Sequence, residues 1–246
     1  MNKTLNLGVQ SYSFRGFKRN EEVVNLVKQC GLTKIELCAA HVDFTEPEAF
    51  DRIINIYKKG GVSIFSIGVQ SFRNDEATEI KFFEFAKKAG AKVIAADFAV
   101  DSVPASFRTA ERLADKYDIK IAIHNHGGRH WLGSCTMLQN VFSNTSEGIG
   151  LCLDTAWALD SGEDPIAMAK LFSKRLYGIH IKDFVFNRDR KPEDVIVGQG
   201  NLELENFLRL LREINFKGPA ALEYEGDVDN PVPAVKQCVA AVRENG

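Results

Sequence analysis

The sequence predicts a single eight-stranded α/β barrel, a (β/α)8 TIM barrel spanning residues 1–246, and three observations lead there. Eight short, strand-like apolar runs alternate with longer segments whose apolar residues return every three or four positions. A length of 246 residues with 45% hydrophobic content suits one such barrel better than two small domains. Four runs in the second half each end in a potential metal ligand: His124 after KIAI, Asp154 after GLCL, His180 after LYGI and Glu223 after PAAL. Side chains at the exit ends of different strands converge when the strands are parallel and wound into a barrel.

The strands are expected at LNLGV (5–9), KIEL (34–37), VSIFSIGV (62–69), AKVIAA (91–96), KIAIH (120–124), IGLCL (149–153), LYGIHI (176–181) and PAALEY (219–224). Between them, amphipathic helices are expected over 21–30, 47–59, 79–90, 106–117, 165–173, 204–214 and 231–244. Gly31, Gly60–Gly61 and Gly90 follow helical patterns, where a left-handed residue is easiest for glycine. Pro47, Pro165 and Pro231 sit near helix starts, where a missing N–H costs little. An open doubly wound sheet is the rival architecture, but the first turn, QSYSFRGF, lacks the GxGxxG of a dinucleotide fold. Segment 125–148 reads as a loop folding over the site before a short helix.

A formal net charge of −2, with both signs mixed along the chain, offers no electrostatic footprint for nucleic acid or an anionic membrane. No stretch reaches signal or membrane-span length, so a cytoplasmic location is the expectation. Five scattered cysteines without a CxxC pair argue against disulfides or a structural zinc knuckle and read as reduced, mostly buried residues. The sequence leaves oligomeric state open, a homo-oligomer included.

In a barrel of this kind the βα rim carries the chemistry. His124, Asp154, His180 and Glu223 form a two-nitrogen, two-oxygen set suited to a borderline divalent ion, Mn²⁺ first, with Mg²⁺, Co²⁺ or Zn²⁺ as alternatives. Gathered without a cation, such groups would repel or need large pKa shifts. Lys182 shares the face of His180 and is either a cation for a substrate oxygen or the partner of Asp183 or Glu223. Glu36 and Asp97 could hydrogen-bond substrate hydroxyls or hold neighbouring loops, and Gln70 ends strand 3 at the same rim. His126 reads as a base or as support for His124. Trp157 and Phe14 could wall a sugar ring or pack the core.

The blocks LGVQSYSFRGF, KIEL, IHNH, LDT, GIHIKD and GQGNLELENFLRLLREINFKGPAALEYEG resemble, in order and spacing, the sugar phosphate isomerase/epimerase family of xylose isomerase-like TIM barrels. The likeness spans nearly the whole chain, and its last two blocks are the most specific. It implies that Asp154, His180 and Glu223 are metal ligands, that Glu223 also moves a proton, and that Glu36 is the strand-2 glutamate of the substrate pocket. The family's epimerases usually place a glutamate, both ligand and base, where this chain has His124, and a histidine where it has Trp157. The first exchange takes the set from two Glu, one Asp and one His (−3) to one Glu, one Asp and two His (−2). It also removes one of two bases on opposite faces of the substrate. The related apurinic endonucleases use three metals and more rim histidines than the five present here.

The expected function is a metal-dependent sugar isomerase or epimerase of carbohydrate metabolism. Its catalytic residues would be Glu223, His126 and Lys182, and it would abstract a proton α to a carbonyl through a metal-stabilised enediolate. The alternative is a lyase that expels a β-leaving group from a keto-sugar or 3-keto-glycoside. A non-catalytic sugar-binding barrel is the third reading.

Overall fold

In the computed structural model, which describes residues 5–246, the apolar runs pair in parallel and close on themselves. In chain order the strands are β1 (Leu7–Gln10), β2 (Lys34–Leu37), β3 (Ser63–Phe72), β4 (Val93–Phe98), β5 (Lys120–His124), β6 (Ile149–Asp154), β7 (Leu176–Ile181), β8 (Asp183–Phe186), β9 (Pro192–Val195) and β10 (Ala220–Leu222). The barrel order is β1-β10-β7-β6-β5-β4-β3-β2, and β1 pairs with both β2 and β10, which closes the ring. Strands covered on both sides carry continuous apolar runs, as in β6, where every residue is buried.

The helices α1 (Asn20–Gln29), α2 (Phe50–Lys59), α3 (Glu76–Ala89), α4 (Ala105–Tyr117), α5 (Cys135–Ser143), α6 (Thr155–Asp160), α7 (Pro165–Leu171), α8 (Leu204–Glu213) and α9 (Val232–Asn245) ring the barrel. Their buried residues follow the 3.6-residue period: Phe50, Ile53 and Tyr57 on α2, and Leu204, Phe207, Leu208 and Leu211 on α8. Side-chain caps fix several starts, with Asp75, Ser134 and Asp164 accepting backbone N–H bonds at α3, α5 and α7. Gly90 ends α3 at φ 80°, and Gly31 and Gly61 follow α1 and α2 at φ 71° and 73°; Gly60 itself stays right-handed.

Seven helices lie within a few residues of their sequence expectation. The short helix after the 125–134 loop is α5. Two elements were not anticipated. The six-residue α6 springs directly from the end of β6 and is too short to show a period. The antiparallel hairpin β8–β9 leaves β7 after a single residue and has a charged NRDRK connection with none of the Asn-Gly or Asp-Gly signals of a tight hairpin.

The base of that hairpin is tied down by Asp183. Its carboxylate accepts backbone N–H bonds from Gly198, Gly200 and Leu202, each at 2.9 Å. Any side chain at 200 would place its Cβ 2.5 Å from Asp183 Oδ1, so this approach requires glycine. Asp183 is thereby committed to the loop and is not the partner of Lys182. Among the described residues, no helix is long and apolar enough to cross a membrane.

Candidate active site

The exit ends of β5, β6, β7 and β10 bring His124, Asp154, His180 and Glu223 together, with one ligand atom of each within 4.8 Å of all the others. Strand pairing explains the convergence. Asp154 is in register with His180, and Ala221 with His180, so Glu223 lies one inward-facing position above. His124 Nε2 is 3.4 Å from Asp154 Oδ2, and His180 Nδ1 is 3.3 Å from Glu223 Oε2 and 4.0 Å from Asp154 Oδ2.

The atoms that face one another are also those without partners. Both ring nitrogens of His124, Nδ1 of His180 and Oδ2 of Asp154 are buried and accept or donate no hydrogen bond. Buried polar atoms in native proteins are overwhelmingly paired, so three orphans that face one another, His124 Nε2, His180 Nδ1 and Asp154 Oδ2, fit a shared cation. Two nitrogens and two carboxylates are a suitable donor set for a borderline divalent ion.

The shell behind this cage fixes each ligand. Glu36 Oε1 lies 2.7 Å from His180 Nε2, which leaves the Nδ1 lone pair facing the cage. The same carboxylate accepts from Gln10 Nε2 and from Ser66 Oγ, each at 2.6 Å, and Glu36 is only 2% exposed. The structure therefore places Glu36 directly behind a cage histidine, with donors on both of its oxygens. Asp154 Oδ1 accepts the Trp157 N–H at 2.8 Å as the N-cap of α6, which aims Oδ2 inward. Asn125 brackets the Asp154 peptide, with its Oδ1 accepting from Asp154 N at 2.8 Å and its Nδ2 donating to Asp154 O at 3.0 Å.

Lys182 is 0% exposed, a fully buried ammonium beside the cage. Thr155 Oγ1 anchors its backbone at both ends, donating to Lys182 O and accepting from Lys182 N. Its Nζ pairs with Glu225, stands 3.5 Å from Asp194 Oδ2 and 3.9 Å from Glu223 Oε2, and sits 5.3 Å from the ring centres of both Trp157 and Phe184. Burial alone would lower the lysine's pKa, but Glu223, Asp154, Glu225 and Asp194 together raise it above its ordinary value. Burial likewise pushes Glu223 upward, and Lys182 and His180 more than offset it, holding that carboxyl well below the carboxylate range.

A second polar group adjoins the cage. Asp97, at the end of β4, with His126 and His130 brings one potential ligand atom of each within 4.8 Å of the others, and the ring of His126 lies 4.6 Å from that of His124. His130 Nε2 faces Asp97 Oδ1 at 3.4 Å. Burial, with His124 and His130 nearby, pulls the His126 pKa down to about 4, so its imidazole is neutral at pH 7.

The remaining sequence candidates separate. Gln70 is buried on β3, with Nε2 unpartnered. Trp157 is half-buried at the rim, its ring 4.9 Å from that of Phe184. Phe14 is 0% exposed and belongs to the hydrophobic core, so it offers no wall to a ligand. Gln10, Ser66, Asn125 and Asp194 were not singled out from the sequence. Of these only Asn125, between two histidines in HNH, carried a local hint.

Residues 24–244 match the xylose isomerase-like TIM barrel family. An inosose dehydratase from Clostridium beijerinckii is 28% identical over 137 residues, which cover 49% of this chain and 46% of that protein. The chain thus spans less than half the length of the curated relatives it matches. Among solved structures, the 3-keto-D-glucoside 4-epimerase YcjR of E. coli superposes with a TM-score of 0.73 at 15% identity, over 98% of this chain and 100% of that one. The probable 3-DHS dehydratase AsbF of Bacillus anthracis gives 0.75 at 15% identity, over 98% and 99%. At such identities these structures attest the fold; the family match covers nearly the whole barrel. The chain belongs to the xylose isomerase-like TIM barrel family.

Proposed function

We propose that this protein is a divalent-metal-dependent enzyme that removes the proton α to the ketone of a keto-sugar, keto-polyol or keto-glycoside. The observation that carries this reading is the cage of His124, Asp154, His180 and Glu223, whose facing atoms are buried and largely unpartnered. A divalent ion held there would act as a Lewis acid toward the substrate carbonyl and the negative charge that develops on it. Mn²⁺ is the first choice for the mixed set, ahead of Co²⁺, Zn²⁺ and Mg²⁺.

The chain's own groups supply the rest. Glu223 is ionised and lies at the edge of the cage beside Lys182, and His126 presents a neutral imidazole beside His124. Either can accept a proton from a substrate carbon. Lys182 adds a fixed positive charge in a buried setting, where it stabilises developing oxyanion charge more than it would in water.

Two considerations favour elimination over epimerisation as the outcome. With His124 where the family's epimerases carry a glutamate, Glu223 is the only glutamate in the cage, so proton exchange between two faces lacks the paired glutamates of those epimerases and leaves His126 as the sole candidate for the second base. The curated relatives also include inosose dehydratases, and loss of water is an elimination. Isomerisation or epimerisation of the same enolate is the second reading.

The test is incubation of the Mn²⁺-loaded protein with ketohexoses and 3-keto-glucosides in D₂O. Deuterium at the α-carbon with an isomeric sugar supports isomerisation, and an unsaturated product with released aglycone supports elimination. Binding without exchange or release across the panel would leave a sugar-binding barrel. Glu36→Gln is expected to loosen divalent-ion affinity by about 10–100-fold, because an amide orients His180 and raises its basicity less than a carboxylate does. Competition against a chromogenic chelator measures this, and an unchanged affinity would remove Glu36 from the ligand shell.

A further inference from the structure

The hairpin delivers a carboxyl group to the rim that proton removal by Glu223 or His126 leaves free for a second task. Asp194 on β9 is directly opposite Phe184 on β8, and opposed residues of an antiparallel pair project from the same face. That face turns toward the rim: the Phe184 ring packs on Trp157, and Lys182 Nζ lies 3.5 Å from Asp194 Oδ2. Apart from this ammonium, both oxygens of Asp194 are buried without a hydrogen-bond partner. A carboxyl group so placed is costly as an anion and tends to keep its proton.

Its position relative to the cage is set by Lys182. The same Nζ stands 3.9 Å from Glu223 Oε2, so a single ammonium links the two carboxyl groups, and their separation is within the reach of one hexose with its exocyclic oxygens. Burial raises the Asp194 pKa to about 7, against the pull of Lys182 and of the nearby Glu225 backbone N–H, and the charges of Glu225 and Glu223 push it further up. A buried carboxyl group whose oxygens accept no hydrogen bond holds a proton more readily than a solvated one, which suits Asp194 to the part of an acid.

We propose that Asp194 is the general acid of this site, protonating the oxygen that leaves the β-carbon of a keto-glycoside or keto-polyol. This rests on the α-proton removal proposed above. The base takes the α-proton, and the electron pair of that C–H bond becomes the new C=C bond. The β-carbon–oxygen bond breaks with its pair on oxygen, and the Asp194 proton completes the departing alcohol or water. Asp194 is left as a carboxylate 3.5 Å from the Lys182 ammonium, which stabilises it as it forms. The products are an enone and an alcohol or water, with no change in overall oxidation state.

Comparing two leaving groups on one sugar tests this. Methyl 3-keto-β-glucoside needs its methoxide protonated, whereas p-nitrophenyl 3-keto-β-glucoside releases a stable phenolate. In Asp194→Asn, release of methanol is expected to fall by roughly 10²–10⁴-fold and release of p-nitrophenol by less than about threefold. The variant should still incorporate α-deuterium into recovered methyl substrate. Asp194→Glu should recover part of the methanol release. Equal losses with both substrates, or an undiminished methanol rate, overturn the role of Asp194 as an acid. Wild-type protein that exchanges the α-proton but releases neither aglycone overturns that role while sparing α-proton removal. Protein that does neither overturns both.

Discussion

Replacing Asp154 with asparagine is expected to empty the cage of divalent ion and lower turnover by about 10³-fold, because Lewis-acid stabilisation is worth several kcal/mol and each ~1.4 kcal/mol is tenfold in rate. The two oxygens of Asp154 have separate tasks. Oδ1 caps α6 by accepting the Trp157 N–H, and Oδ2 faces His124 and His180 without a hydrogen bond. Asparagine can keep the first task, since its amide oxygen is as good an N-cap as a carboxylate oxygen. It cannot perform the second. Its NH₂ would point two donors at the ion's position and remove one of the set's two negative charges. The fold should therefore survive, with a thermal midpoint within a few degrees of the parent, since a change of ~1 kcal/mol shifts a domain of this size by roughly 2–4 °C. Elemental analysis after dialysis, paired with α-deuterium exchange, reads the result. Full exchange by a metal-free Asp154→Asn protein would show that the chemistry does not need the cage.

The barrel was legible because its signals are local and repeated. Apolar runs, amphipathic periods and glycine stops recur along the chain, and an error in one unit leaves the others intact. The cage was legible for a related reason: a ligand at a strand exit needs only the strand's end to be located, and the barrel closure supplies the convergence. The surroundings of the cage were harder to read because they depend on contacts between residues far apart in the chain. Glu36 and His180 are separated by 144 positions, yet they share a hydrogen bond that makes Glu36 a support for a cage histidine. Phe14 follows the first strand at the rim, but the 3-10 turn Ser11–Phe14 buries its ring completely. Of the two partners the sequence offers Lys182, Glu223 stands 3.9 Å from its Nζ, whereas Asp183 receives three backbone N–H groups of the 198–202 loop. Asp194 could not be found without the hairpin, and the hairpin has neither the length nor the turn residues that announce one.

Lys182→Met is expected to cost about 3–5 kcal/mol of folding stability, the penalty for breaking a buried ion pair by removing one side. Methionine fills most of the lysine's volume, so lost packing is a minor part. What remains is a pocket in which Glu225, Asp194 and Glu223 face one another without their shared ammonium. The double variant Lys182→Met/Asp194→Asn should recover part of the loss, because contacting residues in one charge network are not additive. The pH dependence has a definite sign. Asp194 already titrates near 7 when folded, against an ordinary carboxyl value of 3.8, so between these values the native state holds more protons than the unfolded chain. Stability through this group is therefore greatest below the unfolded value and declines as pH rises through the folded one. Removing Lys182 takes away the cation that opposed this shift, so the decline should steepen and extend to higher pH. Urea midpoints at pH 5 and pH 8 measure it: the Lys182→Met deficit should be larger at pH 8, and the added Asp194→Asn change should narrow the gap. A deficit independent of pH would mean that Lys182 contributes through packing against Trp157 and Phe184 rather than through its charge.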